Sequence, residues 1–224
     1  MDIEILYRPS YALGVVKMKA GESLIAESGA MVSMSDTITV ETSTRGGLLS
    51  GLKRTMLGGE SFFMNTFRAT APGEVTVAPS LPGDVTLHKL NGESLLVQSG
   101  SFLASSDGVT VDTKWSGARG FFAGEGLFLL RTSGRGDLLI SSYGGIHELN
   151  LAAGQRYLVD TSHIVAFADT VQYKVRRIGG WKTTLLGGEG LVVELTGPGR
   201  AYMQTRSPES FLAWLGPKLP GRRE

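Results

Sequence analysis

The sequence of 224 residues contains no cysteine, only three histidines and almost no excess of either charge. The absence of cysteine excludes disulfides, a thiol nucleophile and any zinc or iron–sulfur site that needs thiolate ligands. Lysine and arginine number 22 and aspartate and glutamate 21, so the net charge is +1. A whole-surface field that would hold nucleic acid or anionic lipid is therefore absent, and only a local basic patch could bind such partners.

Long hydrophobic runs are also missing. The longest are short pieces such as Leu127–Leu130, whereas about 18 apolar residues are needed to span a bilayer. The first residues include acids where a secretory signal would have lysines, and Arg8 and Pro9 interrupt the apolar stretch. We therefore expect a soluble protein located in the cytoplasm.

The chain does contain an internal repeat. Three stretches match one another without a gap, at residues 21–32, 92–103 and 154–165. Each continues at the same offset into an aspartate that precedes a short apolar run, at Asp36, Asp107 and Asp169. The period of about 60 to 70 residues is typical of a fold built from similar units.

Each copy has the pattern of β-strands. Short runs rich in Val, Ile, Leu, Thr and Phe alternate with glycine-containing turns, and the glycine density excludes long helices almost everywhere. There are two exceptions. A short helix after Gly47 could place one apolar face on Leu48, Leu49, Leu52, Met56 and Leu57. A second helix is predicted after Ser207, where a serine cap and Pro208 precede an apolar stripe.

Three similar β-units in one chain would each expose a hydrophobic sheet face if they stood alone. They are therefore expected to close around a pseudo-threefold axis. We predict an all-β protein made of one compact domain over residues 1–224. Its repeats are expected at about 1–90, 91–151 and 152–207, followed by a helical tail at 208–224.

Several motifs also resemble a known family. They are Ile5–Ser10, Ala26–Val32, Gly46–Arg54, Gly58–Phe62 and Gln204–Arg206. They look like bacterial and archaeal relatives of the "altered inheritance of mitochondria" biogenesis protein, long labelled a domain of unknown function. The resemblance implies a β-sandwich fold like that of the tryptophan RNA-binding attenuation protein, related to double-stranded β-helices and repeated within the chain. Mitochondrial relatives are linked to inner-membrane organisation and the attenuation protein binds tryptophan and RNA, but fold likeness transfers neither role.

The titratable residues do not indicate an enzyme. His88, His147 and His163 occupy non-equivalent positions, and no pair has the spacing that suits a shared metal on one element. Neither a nucleophile elbow nor a phosphate-binding glycine loop is present. We expect no catalysis, no cofactor and no metal.

Repeated carboxylates allow two interpretations. Glu60, Glu125 and Glu189 could form a ring around a pseudo-threefold axis and bind a cation, and so could the three repeated aspartates. Alternatively each aspartate begins a hairpin turn by binding backbone amides, and each glutamate ends a glycine turn at the surface.

The variable loop in each copy mixes basic, glycine and large apolar residues. The candidate interaction residues are Arg45, Leu48, Leu49, Lys53, Arg54, Trp115, Arg119, Phe121, Phe122, Trp181 and Lys182. They could enter a membrane interface or a partner's groove, or stack bases and neutralise phosphates, or simply pack one copy against another.

The sequence thus favours a non-enzymatic scaffold or interaction protein that assembles into a homo-oligomer and has a protein or membrane-surface partner. The alternative is a module that binds a small ligand or RNA, with nucleic acid the less favoured partner. The apolar stripe of the predicted tail, at Phe211, Leu212, Trp214 and Leu215, either caps the β-core or joins subunits.

Overall fold

The computed structural model describes residues 1–41, 55–57, 60–112, 127–177 and 191–219, with only the backbone of 55–57 and 60–62. The described part is mostly β-strand, as predicted. None of its helices is long and apolar enough to cross a membrane. The helix expected after Gly47 lies largely outside the described residues. Its last part is wrong, because Thr55–Leu57 form a strand paired with Glu60–Phe62.

The described strands are numbered in chain order. Those before residue 80 are β1 (Asp2–Leu6), β2 (Leu13–Met18), β3 (Ser23–Glu27), β4 (Met31–Met34), β5 (Ile38–Glu41), β6 (Thr55–Leu57), β7 (Glu60–Phe62), β8 (Met64–Ala69) and β9 (Gly73–Val77). Next come β10 (Val85–Gln98), β11 (Phe102–Ser106), β12 (Val109–Asp112) and β13 (Leu129–Ser141). The last are β14 (Ile146–Leu151), β15 (Arg156–Asp160), β16 (Ile164–Ala168), β17 (Gln172–Arg177), β18 (Leu191–Thr196) and β19 (Gly199–Gln204). Helix α1 spans Pro208–Leu215.

The same antiparallel pairing pattern recurs in three segments, residues 13–77, 85–141 and 146–204. In the first segment β9 lies between β2 and β4, and β8 lies between β3 and β5. In the third segment β19 lies between β14 and β16, and β18 lies between β15 and β17. In the second segment the long strands β10 and β13 pair with each other, and β11 and β12 both pair with β13.

Strand β10 runs across the repeat boundary expected near residue 90. By strand pairing the first two segments instead meet at residues 78–84. Gly83 is required at this junction, because a Cβ atom there would collide with the carbonyl oxygen of Ser142. The threefold axis and the likeness to the attenuation protein stay predictions.

Two junctions join the segments through equivalent strands. At the first, β3 pairs with β11, with Ala26 opposite Ala104. At the second, β10 pairs with β16, with Val97 opposite Ala166. Because the repeat alignment makes these two residue pairs equivalent, both junctions have the same register. A single sheet therefore runs through all three segments.

Each segment has its own hydrophobic core, and two of these cores are completed by the next segment. The first core, around Phe67, includes Leu103 and Ala104 from β11. The second core, around Leu130, includes Val165 and Ala166 from β16. The third core, around Val193, includes no residue of β4, the strand equivalent to β11 and β16. Neighbouring segments therefore fold against one another rather than as separate units.

The repeat equivalents of the junction strands include two strands with a free side. Strand β4 is at the end of its sheet beside β9, and β15 is at the end of its sheet beside β18. Among the described residues no strand pairs with the other side of either one. All four residues of β4 are exposed, whereas all five residues of the equivalent β11 are buried. The junction strands thus include one unused pair of edges.

An ion pair joins Arg8, which follows β1, to Asp84, which directly precedes β10. The Arg8 guanidinium donates to both carboxylate oxygens of Asp84, at 2.7 and 2.9 Å. The Asp84 carboxylate is 3% exposed and also accepts from the amide of Val85. This hydrogen bonding raises the pKa of Arg8. A buried charge is tolerated here because it is paired and hydrogen-bonded.

Replacing Arg8 with alanine would leave the Asp84 carboxylate buried without its counter-ion. We expect Arg8→Ala to lower the free energy of unfolding by about 1–3 kcal/mol, measured by urea denaturation. The control is Lys89→Ala, which removes an ion pair between Asp137 and a lysine side chain that is 69% exposed. It should cost less than about 1 kcal/mol. Equal losses in the two variants would contradict this interpretation of the Arg8 pair.

Candidate functional site

The eleven predicted loop residues lie outside the described part of the structure. They are Arg45, Leu48, Leu49, Lys53, Arg54, Trp115, Arg119, Phe121, Phe122, Trp181 and Lys182. Whether they meet a partner or pack against the protein stays a prediction.

The predicted glutamate ring lies outside the described side chains and stays a prediction. Glu60 lies in β7 but its side chain is not described, and Glu125 and Glu189 are outside the described residues. The repeated aspartates Asp36, Asp107 and Asp169 each lie in the tight turn that leaves β4, β11 or β16. No group of three or more metal-ligating side chains occurs among the described residues. The aspartates thus lie in turns, as the second interpretation expected, but the two strands that each turn joins pair with other strands rather than with each other as a hairpin.

A cavity lies where the three segments meet, with a volume of about 660 Å³. Its wall is made of equivalent turns. The turns after β3, β10 and β15 supply Glu27, Gln98 to Ser101, and Thr161 and Ser162. The ends of β9, β13 and β19 supply Pro79 to Leu81, Ser141 to Tyr143, and Gln204. The repeat therefore gathers residues from all three segments into one site.

Hydrogen bonds hold the wall in place between the second and third segments. Gln204 accepts from the amide of Tyr143 at 2.9 Å and donates to the carbonyl of Ser162 at 2.8 Å. The Asp160 carboxylate accepts from the amide of Ser162 at 2.9 Å, which fixes that turn. Ser142 donates to the carbonyl of Gly144 at 2.6 Å. Most polar groups on this side of the cavity are thus already positioned by the fold.

Helix α1 lies beside the cavity. It begins after Ser207, as the sequence predicted. The Ser207 hydroxyl accepts from the amide of Ser210 at 3.2 Å, which caps the first turn. Phe211 packs edge-on against Tyr143, with ring centroids 5.9 Å apart. Leu212 lines the cavity, but it is 63% exposed. The helix therefore covers the cavity only in part.

The lining determines which ligands the cavity would suit. It contains two carboxylates, Glu27 and Glu209, several hydroxyls and amides, and the rings of Phe128 and Tyr143. No lysine or arginine occurs among the described lining residues. Phosphate-bearing ligands are therefore disfavoured at this wall, while neutral polar or amine-bearing molecules would find hydrogen-bonding partners.

A second polar cluster surrounds His88 on β10. The His88 Nδ1 atom lies 3.0 Å from the Tyr202 hydroxyl, and Arg200 donates to that hydroxyl at 3.3 Å. Because the hydroxyl accepts from Arg200, it is free to donate to Nδ1, which leaves the proton of neutral His88 on Nε2. Nε2 has no hydrogen-bond partner among the described residues, and Glu93 lies 3.9 Å from it.

The His88 cluster has perturbed acidities. Burial lowers the pKa of His88, although the neighbouring Glu93 partly opposes this. Burial also raises the pKa of the Tyr202 hydroxyl. In the described part of the chain, His88 does not line the cavity, and its one hydrogen-bonded side chain is this tyrosine. The cluster is best understood as a polar contact between the second and third segments.

The other two histidines have separate environments. His147 on β14 is exposed. His163 Nδ1 lies 2.7 Å from the carbonyl oxygen of Gln204, and because a carbonyl only accepts, this nitrogen carries the proton. The three histidines are thus not brought together.

Because burial disfavours protonated His88, stability should depend on pH. The unfolded chain binds the proton more readily than the fold does, so unfolding becomes easier as the pH falls through the ordinary histidine value of about 6.5. We expect His88→Gln to reduce the loss of unfolding free energy between about pH 7.5 and about pH 5.5, measured by urea denaturation. The control is His147→Gln at an exposed position. An unchanged pH dependence in His88→Gln would show that this histidine does not couple to folding.

Sequence reasoning found the turns that line the cavity as repeat positions but assigned them no role. The signal was the conserved spacing of Glu27, Gln98 and Asp160 in the aligned stretches, each followed by a polar turn. It could not be interpreted because only the folded topology shows that the three turns converge.

Comparisons with known proteins agree with the family resemblance noted in the sequence. A family model described as mitochondrial biogenesis AIM24 matches residues 3–206. An uncharacterized protein of Streptococcus pyogenes serotype M6 is 28% identical over 218 residues, covering 94% of this chain and 88% of the relative. The X-ray crystal structure of a Streptococcus pyogenes protein is 26% identical, with a TM-score of 0.80 over 97% of this chain and 99% of that one. Since the family model matches nearly the whole sequence, this chain belongs to the mitochondrial biogenesis AIM24 family.

Proposed function

We propose that this protein is a non-enzymatic scaffold that joins protein subunits through the free edges of its β-sheets. The observation behind the proposal is that β4 and β15 have a free side, although the equivalent strands at both internal junctions are paired. An unpaired strand offers a row of amide and carbonyl groups to another strand. The proposal therefore assigns the interaction surface to these two edges.

Exposed apolar side chains on the two edges support this assignment. Val32 on β4 is 58% exposed, whereas the equivalent Leu103 is fully buried. Leu158 on β15 is 44% exposed, whereas the equivalent Ile25 is 6% exposed. Natural edge strands are commonly protected by charge or proline, and β4 contains neither. Val32 and Leu158 are thus exposed at positions whose equivalents a partner strand covers.

The free edges of β5, β12 and β17 do not distinguish the segments. Among the described residues each of these strands pairs on one side only, and this holds in every segment. Of the strand types that pair at the junctions, β4 and β15 are the described members that lack the partner of their equivalents.

The edges can be tested by placing a charge on each, because lysine in an edge strand blocks further pairing. We expect Val32→Lys combined with Leu158→Lys to weaken association with protein subunits by more than about tenfold, since each buried apolar side chain contributes about 1.5–3 kcal/mol. The association is measured by native mass spectrometry and sedimentation of protein purified gently from its own cells.

The matched control is Val40→Lys on β5, where the side chain is 41% exposed. It should leave the association as in the wild type. A wild-type protein that has the mass of one chain and no bound polypeptide at its cellular concentration would contradict the scaffold proposal.

A second candidate function is the binding of a small neutral or amine-bearing ligand, and the cavity at the meeting point of the segments favours it. We expect Ser99→Trp to fill the cavity and remove any small-molecule mass that accompanies the wild-type protein in native mass spectrometry. Ser28→Trp is the control, because Ser28 is the exposed equivalent of Ser99 and does not line the cavity. No extra mass on the wild type would count against this function.

Several finer expectations stay predictions. They are the absence of catalysis, the cytoplasmic location, the closure of the repeats around a pseudo-threefold axis, and a membrane or RNA partner at the glycine-rich loops. The scaffold proposal does not depend on those loops.

A further inference from the structure

The two internal junctions define a rule for how one segment receives the next. At the first junction β3 of the first segment pairs with β11 of the second. At the second junction β10, which contains the equivalent of β3, pairs with β16, the equivalent of β11. The register is identical at equivalent positions, with Ile25 opposite Ser105 and Leu96 opposite Phe167. A third pairing by this rule would join β15 to β4.

The third core lacks the residues that the rule would supply. Leu103 enters the first core and its equivalent Val165 enters the second. The residue at this position in β4 is Val32, which is exposed and belongs to no core. On β15, Tyr157 and Leu158 are 39% and 44% exposed, whereas the equivalent Leu95 and Leu96 are almost fully buried. The open side of the third segment thus fits the residues that β4 exposes.

We propose that β15 of one molecule pairs with β4 of a second copy of this chain, in the register of the two internal junctions. The proposal rests on the scaffold function and names its partner. The expected pairs are Val159 with Ser33 and Leu158 with Met34, in antiparallel orientation. Each molecule uses β15 towards one neighbour and β4 towards another, so the contact is heterologous and propagates until a ring closes or a filament forms.

Charge at the ends of the strands agrees with this register. The same alignment places Arg156 of one copy opposite Asp36 of the other, and both residues are exposed. At the internal junction the equivalent residues are Ser94 and Asp169, where the amide of Asp169 donates to the carbonyl of Ser94 at 3.2 Å. In the third pairing, two side chains of opposite charge would therefore lie opposite each other at this position. A surface ion pair of this kind contributes more to register than to affinity.

The cysteine-free sequence allows a direct test by disulfide cross-linking. Met34→Cys and Leu158→Cys change exposed side chains on opposite edges. Directly opposed residues in paired antiparallel strands have Cα separations that a disulfide can bridge. When the two purified single variants are mixed and oxidised, we expect a cross-linked species of two chains. It should form more than about tenfold faster than with the control pair Val40→Cys and Leu158→Cys.

Heterologous pairing also predicts how each single variant behaves alone. Each single variant oxidised alone should form little cross-linked dimer, because like positions do not meet. The proposal is overturned if the mixture does not cross-link, if either variant links to itself as fast as the mixture, or if a chain with both cysteines closes only within itself. If the wild type nevertheless retains a different polypeptide that the edge lysines remove, the scaffold function stands and only self-pairing fails.

Discussion

The structure depends on the way each segment uses the next to cover its core. Each of the first two segments has apolar surface on one side, and a strand of the following segment covers that side. Leu103 and Ala104 complete the first core, and Val165 and Ala166 complete the second. Burial of such side chains is the main favourable contribution to folding, so segments that share cores in this way stabilise one another. Among the described residues, no strand of this kind covers the third core.

The same constraint explains where the cavity lies. The strands that cover neighbouring cores, β11 and β16, begin after the turns that follow β10 and β15. These turns and the equivalent turn after β3 line the meeting place of the segments. Polar side chains such as Gln204 are hydrogen-bonded across the junction between the second and third segments. The two proposed functions therefore use different parts of the structure, the cavity in one case and the edges of β4 and β15 in the other.

The strand content and the C-terminal helix could be predicted from the sequence because both depend on local patterns. Glycine-bounded apolar runs indicate strands wherever they occur, and the Ser207 cap followed by Pro208 indicates a helix start. The helix expected up to Leu57 was wrong because apolar spacing in a glycine-rich loop fits a helix and a short strand equally well. The open edges could not be predicted either. Val32 and Leu103 have similar character in sequence, and only the pairing of the whole chain decides that one is exposed and the other buried.

The central claim is that β4 and β15 pair with a strand that the described residues of the same chain do not supply. Amide hydrogen exchange measured at increasing protein concentration tests it directly, since paired amides exchange more slowly than free ones. The account predicts that protection rises with concentration in Met31–Met34 and Arg156–Asp160, while Phe102–Ser106 and Ile164–Ala168 keep the same high protection throughout. Exchange in β4 and β15 that stays fast and independent of concentration, in protein that remains folded, would contradict it.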